Sequence, residues 1–354
     1  MASLLLVKTE RFSVLEVKNQ GKSRTSVSSC KGDSSYVPRH FQTKKLPIIT
    51  LADLLLHKER NTTGQIRHQL MLALKRHGFC FLRVSQTSQP GQIVETMRRA
   101  LAEQLFPNDR ANNTIPTSDV IYVSERGVPM WKLGYELSED GIREFFRIHA
   151  GCPDDQPWPE TVVEGKSNFR SIWLKGLALC RHICDEALSL CIDASVVLPR
   201  QRSSSGIKTW LSSAYCQTPP GELPDRPGDF SVLYAMHYFN KKNLGSEADD
   251  DCTRVNVKQH VDPSLFVLEP FLVTNCSGLQ VQDQATNRWL DCDGPTSPLA
   301  NMRSNGDEFM CLFIGRGFAR HCPGMTPTLH RVVAASHQSR RSIIYEQKYD
   351  EYWD

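Results

Sequence analysis

No stretch of this 354-residue chain approaches the roughly 20 consecutive apolar residues that a membrane helix needs. The opening run Met1-Ala-Ser-Leu-Leu-Leu-Val is broken by Lys8, Glu10 and Arg11 before it reaches the length of a secretory signal. Net charge is scarce too: 42 Lys and Arg stand against 39 Asp and Glu, a formal balance of +3. Such a balance sets up no field that would gather nucleic acid or anionic lipid. A small-molecule or peptide substrate is therefore expected rather than a polyanion, with no nucleic-acid partner and no membrane. The 12 cysteines include no CxxC pair, and the nearest two, Cys180 and Cys184, sit in a helical stretch. That spacing argues against a zinc ribbon or a disulfide framework and for reduced thiols in a cytoplasmic setting. No internal repeat is present.

What is present is a 40% share of hydrophobic residues, enough for a sizeable core. Residues 1–45 are expected to be a disordered extension; the Ser- and Lys/Arg-rich part from 18 onward faintly echoes an organelle transit peptide. Order is expected from the strand-like run Leu46-Pro-Ile-Ile-Thr-Leu. Between Gln65 and His77, Ile66, Leu70, Ala73 and Leu74 fall at helical spacing, with Gly78 as the stop. Phe79-Cys-Phe-Leu-Arg-Val reads as a buried strand, and Ile93, Met97, Leu101 and Leu105 as a second helical stripe.

The stretch 107–165 is full of turn-formers and yields no assignment. Helical spacing returns from Asn168 to Leu190. Residues 201–229 read as a connecting region and 241–254 as a solvated loop. Beyond Phe230, short runs at Ser231–Tyr238, Leu265–Leu268, Leu279–Gln282 and Phe309–Phe313 alternate with turn signals. A helix-rich region over 46–229, a strand-rich core over 230–349 and a tail at 350–354 predict a mixed α and β fold. Its simplest form is helices packed against a β-sandwich or jelly roll.

Gln259-His260-Val261-Asp262 is the first feature with chemistry in it. On an extended strand, residues two apart share a face, so an imidazole and a carboxylate can converge on one point. Alone, the pair is weak, because a His and an Asp at this spacing more often form a surface hydrogen bond. Leu329-His330-Arg331-Val332-Val333 adds a second His at the head of a β-like run. Two His and one carboxylate would occupy one face of an octahedral metal and leave three positions open. Ten residues on, Arg340-Arg341-Ser342 supplies a guanidinium whose planar fork can pair bidentately with the far carboxylate of a chelating dicarboxylate. Ser342 can add a hydroxyl donor. Arg341 should point to the opposite face of the strand.

With His260-Val-Asp262, Gly278-Leu-Gln-Val, Trp289, Ile314-Gly315, His330-Arg-Val and Arg340-Arg-Ser342 in this order, the chain resembles the isopenicillin N synthase-like family. That family includes many iron(II)- and 2-oxoglutarate-dependent oxygenases. The likeness runs from Leu46 to Tyr349. It implies a double-stranded β-helix core flanked by N-terminal helices, and Fe(II) held by His260, Asp262 and His330. It further implies 2-oxoglutarate anchored by Arg340 and Ser342, with O2 as the oxidant. Tyr238, in Met236-His-Tyr-Phe, matches the family's tyrosine that hydrogen-bonds cosubstrate or substrate. Arg316 departs from the pattern, standing after Ile314-Gly315 where the family usually has an acid.

The function this implies is hydroxylation, or another oxidation, of a small organic substrate with release of succinate and CO2. Two other readings stay open. An iron(II) oxidase without 2-oxoglutarate would use Arg340 and Ser342 to hold a substrate carboxylate. A non-catalytic jelly-roll binding protein would have kept only the fold.

Overall fold

The computed structural model describes residues 46–106, 121–123, 129–139, 141–150, 158, 169–192, 229–239, 254–270, 278–302, 306–334 and 338–348. The expected extension at 1–45 and tail at 350–354 lie outside them, as do the connecting region at 201–229 and the loop at 241–254 except for their last residues, Asp229 and Arg254. All described residues belong to one compact unit.

The first half supplies β1 (Ile48–Thr50), β2 (Phe79–Ser85), β3 (Ile121–Val123), β4 (Pro129–Lys132), β5 (Gly134–Leu137) and β6 (Arg143–His149). The second half supplies β7 (Val232–Tyr238), β8 (Arg254–His260), β9 (Phe266–Glu269) and β10 (Leu279–Asp283). It continues with β11 (Arg288–Asp291), β12 (Asp307–Ile314), β13 (His330–Ala334) and β14 (Arg340–Glu346). The helices are α1 (Leu51–Leu55), α2 (Thr63–His77), α3 (Gln89–Ala100), α4 (Phe169–Cys191) and α5 (Arg316–His321). A π-helical turn, Leu101–Leu105, prolongs α3.

The strands form an eight-stranded sheet in the order β1-β2-β12-β9-β14-β7-β6-β5 and a four-stranded sheet in the order β11-β10-β13-β8. The pair β3–β4 stands apart from both. One face of the large sheet carries Leu233, Ala235, Ile343 and Tyr345 and packs in one core with α2, α3 and α4. In α4, Trp173, Leu177, Cys180, Cys184, Ala187 and Leu188 recur at helical spacing and are buried. The other face meets the small sheet: Phe79, Phe81, Phe309 and Phe313 pack with Leu279, Val281 and Leu290. Nearby, Phe145, Met236 and Tyr238 pack with Val332 and Val257. The central large-sheet strands thus alternate between helices and small sheet, so most of their residues are buried whichever way they point.

That double burial explains what the spacing missed. In β6, Phe145 enters the space between the sheets while Phe146 and Ile148 join the helix-side core. The strand therefore lacks the apolar–polar alternation by which a half-exposed strand is recognised. In the second helical stripe Met97, Leu101 and Leu105 are buried as expected, Ile93 packs half-buried against the same core, and Val94 is buried beside it. Among the described residues no helix is long and apolar enough to cross a membrane.

Candidate metal centre and oxoacid anchor

His260 ends β8 and His330 begins β13, and the two residues are direct partners in the antiparallel ladder. Their rings lie 4.2 Å apart, centroid to centroid. Asp262 stands just past the end of β8 rather than on the extended strand expected from the sequence. Its two oxygens nonetheless fall between the imidazoles, Oδ1 at 3.3 Å from His260 Nε2 and Oδ2 at 3.3 Å from His330 Nε2. One ligand atom from each of the three residues lies within 4.8 Å of the others.

Both rings are oriented by their other nitrogen. His260 Nδ1 faces the Lys258 carbonyl at 2.8 Å, and His330 Nδ1 faces the Thr328 carbonyl at 3.2 Å. A carbonyl only accepts, so each Nδ1 carries a proton; when Nε2 gives up the proton it can share with Asp262, its lone pair is free for a metal. Phe313 packs on the His330 ring at 4.8 Å. Burial opposes ionisation of Asp262, but hydrogen bonds and charge from His260 and His330 hold its carboxyl well below the usual carboxylate range. In return, the hydrogen bond to Asp262 raises the His260 imidazole above its ordinary value, against burial. Two imidazoles and an ionised carboxylate, converging from one side, are a donor set suited to a divalent first-row metal.

The turn that presents Asp262 is braced from α5. The Arg316 N–H donates to the Asp262 carbonyl at 2.7 Å, and the Gly317 N–H to the Ser264 carbonyl at 3.0 Å. Arg316, the departure noted in the sequence, therefore acts on this turn through its backbone. Gly315 lies so close that an added Cβ would sit 2.1 Å from the Ser264 carbonyl oxygen. Gly315→Ala must push this turn aside. It is expected to lower stability by about 1–3 kcal/mol and to weaken metal binding with it. Thermal unfolding and metal titration of the variant check both.

Arg340 opens β14 opposite Tyr238 of β7, whose ring lies 5.6 Å below the guanidinium. The guanidinium is fully buried. Its Nε donates to Asp293 Oδ2 at 2.7 Å and its Nη2 to Glu269 Oε1 at 2.5 Å. Nη2 also lies 2.7 Å from Asp293 Oδ2. Asp293 accepts two further bonds, from the Gly278 N–H at 2.7 Å and the Leu279 N–H at 3.0 Å. An added Cβ on Gly278 would come within 2.4 Å of Arg340 Cδ, so glycine lets the side chain lie against the backbone entering β10. Burial, assisted by Asp293 and opposed by Arg340, lifts the Glu269 carboxyl to about 7. Asp293 is also raised by burial, while the two carboxylates hold Arg340 firmly protonated against it.

Two polar atoms in this cluster have no hydrogen-bond partner among the described residues: Arg340 Nη1 and Ser342 Oγ. Both are buried donors on the same face of one strand, and such groups are rare unless something else satisfies them. Tyr238 is buried beside them, its hydroxyl 3.5 Å from the Met236 sulfur and its acidity pushed to about 12 by burial. Arg341 points the other way and donates from Nε to the Phe106 carbonyl at 2.8 Å.

No family model matches the sequence, and no curated protein matches it. Solved structures do. A full-length Neurospora crassa protein crystallised with alpha-KG and 5-formyluracil is 16% identical, with 86% of this chain and 84% of that one covered at a TM-score of 0.53. The rice dioxygenase for auxin oxidation is 15% identical, with 86% and 83% covered at a TM-score of 0.51. The chain shares the fold of these two proteins. In this shared fold the three metal-type donors and the buried Arg340 cluster border the space between the two sheets. Tyr238, beneath Arg340, packs with Val332, two residues beyond His330. The sequence pointed to His260, Asp262, His330, Arg340, Ser342 and Tyr238, and these fall into two adjacent groups. It did not point to Glu269 or Asp293, which reach Arg340 from 71 and 47 residues away and carry no local pattern.

Proposed function

We propose that this chain is an iron(II)- and 2-oxoglutarate-dependent dioxygenase that oxidises a small organic substrate, in the simplest case by hydroxylation, with release of succinate and CO2. The single observation that carries the reading is the pairing of a His–Asp–His donor set with the unsatisfied donors Arg340 Nη1 and Ser342 Oγ. An oxoacid has one end suited to a metal and another suited to those donors. The two facing sheets are read as a double-stranded β-helix, with 46–229 as its helix-rich flank and 230–349 as its core. Small-molecule chemistry fits the relatives by shape: the Neurospora protein was also solved with thymine, and the rice protein is named for auxin oxidation.

His260, Asp262 and His330 would hold the iron through Nε2, a carboxylate oxygen and Nε2. When bound, iron with 2-oxoglutarate and O2 supplies the oxidising chemistry. The chain's own part is to bind, orient and exclude water. Arg340 Nη1 and Ser342 Oγ take the oxoacid's far carboxylate, and Tyr238 stiffens Arg340 from below. Phe145, Met236, Val257, Val332 and Ile344 form an apolar wall that keeps the space dry.

Oxygen uptake by the iron-loaded protein is the test. Succinate should form in step with oxygen consumed, and only when 2-oxoglutarate is present. Oxygen uptake with substrate alone, and no succinate, would favour the oxidase reading instead. Ser342→Ala should leave stability nearly unchanged, because its hydroxyl has no hydrogen-bond partner among the described residues. It should raise the KM for 2-oxoglutarate by roughly tenfold, the worth of one hydrogen bond to a charged group. An unchanged KM would remove Ser342 from the anchor.

A further inference from the structure

Arg340 meets more negative charge than it carries. Glu269 and Asp293, both buried, already flank its guanidinium. On the oxoacid reading, on which this inference rests, a third carboxylate arrives at Nη1 and Ser342 Oγ. Three carboxylates around one cation would leave two negative charges uncompensated in a space closed to water, and buried uncompensated charge is strongly unfavourable. One proton entering with the oxoacid would hold the cluster at the net charge of −1 that it has with both acids ionised.

The hydrogen bonds decide which carboxylate takes that proton. Asp293 accepts from the Gly278 and Leu279 N–H groups and from Arg340, all of which favour its ionised form. Glu269 accepts from Arg340 Nη2 alone among the described residues. The other groups facing Glu269 are Asp293 and Cys292 from the segment after β11, and Tyr238 from β7, itself hydrogen-bonded to Arg143 of β6. Arg340 is the one cation, among the described residues, that reaches the Glu269 carboxylate.

We propose that Glu269 and Asp293 are positioning residues that aim Arg340 Nη1 at the oxoacid, and that Glu269 takes up one proton from solvent when the oxoacid's far carboxylate binds. No other bond forms or breaks. Burial already lifts the free Glu269 carboxyl to about 7, so the proton is taken up readily near neutrality. The incoming anion raises it further. The affinity is therefore fully present below the free value and falls as pH rises above it, by up to about tenfold per pH unit. The same pair explains why Gly278 is needed where it stands: its N–H fixes Asp293, and its missing Cβ leaves room for Arg340.

Calorimetric titration of the iron(II)-loaded protein under anaerobic conditions tests this, near pH 8 and in two buffers of different protonation enthalpy. 2-Oxoglutarate should bind with uptake of close to one proton. 2-Oxobutyrate, which lacks the far carboxylate, should bind with none, and this comparison needs no variant. Glu269→Gln should abolish the uptake and flatten the pH dependence of the Kd for 2-oxoglutarate. Equal proton counts for the two oxoacids, or an uptake that survives in Glu269→Gln, would overturn the proposal while leaving the cosubstrate reading intact. Failure of 2-oxoglutarate to bind at any pH would overturn both.

Discussion

Asp262→Ala is expected to lower iron(II) affinity by more than about 100-fold and to take oxoacid-dependent turnover below detection. Loss of a partner that merely orients a metal-bound His typically weakens a site by about 10–100-fold, and removing a direct ligand should exceed that. The variant is informative because metal binding can be read separately from its structural cost. Asp262 makes side-chain contacts to His260 and His330, while its carbonyl bond to the Arg316 N–H is backbone and survives. The metal-free variant should therefore unfold below the metal-free wild type at neutral pH, because the ionised carboxylate held between the two imidazoles is lost, and the response to iron(II) is the readout. Added iron(II) at 100 times its Kd should stabilise the wild type by about 2.7 kcal/mol and the variant hardly at all. His330→Ala should behave in the same way. An iron-dependent rise in unfolding temperature retained by Asp262→Ala would rule out this carboxylate as a ligand.

Arg340→Met should have the second large effect, and on two properties at once. It strands Glu269 and Asp293 in the interior without their cation. Breaking a buried pair from one side destabilises by about 3–5 kcal/mol, because the remaining charge has nowhere to go. The carboxylates can escape only by protonation, so the loss should be smaller near pH 5 than near pH 8. A double variant, Arg340→Met with Glu269→Gln, should regain part of the stability and none of the 2-oxoglutarate binding. Unfolding curves and oxoacid titrations on the three proteins separate the two roles. If Arg340→Met kept wild-type oxoacid affinity, the anchor would have to lie elsewhere.

The comparison of sequence with structure divides along a physical line. His260, Asp262, His330, Arg340 and Ser342 were legible because each sits in a short motif whose spacing maps directly onto a strand or its end. The β12 and β7 runs were legible because their apolar blocks are bounded by turn residues. What stayed hidden depends on contacts between distant segments. Asp293 lies in Asp291-Cys-Asp-Gly, which reads as a turn, and only the fold brings it under Arg340. Glu269 reads as a polar end to a short strand, yet it is 1% exposed, a burial that only its pairing with Arg340 makes tolerable. β6 was missed because burial on both faces erases alternation. Asp262 was expected on the strand and lies just beyond it. Its geometry is set instead by the brace from α5, and an interaction between backbone groups leaves no mark on residue type.

The most direct test of the account is an anaerobic titration of the metal-free protein, first with iron(II) and then with 2-oxoglutarate, followed by visible absorbance. The account predicts a charge-transfer band of the iron-bound oxoacid in wild type, none in His260→Ala at any oxoacid concentration, and one displaced to higher oxoacid concentration in Ser342→Ala. Iron binding without the band would contradict the cosubstrate assignment, and no iron binding at all would contradict the metal centre itself.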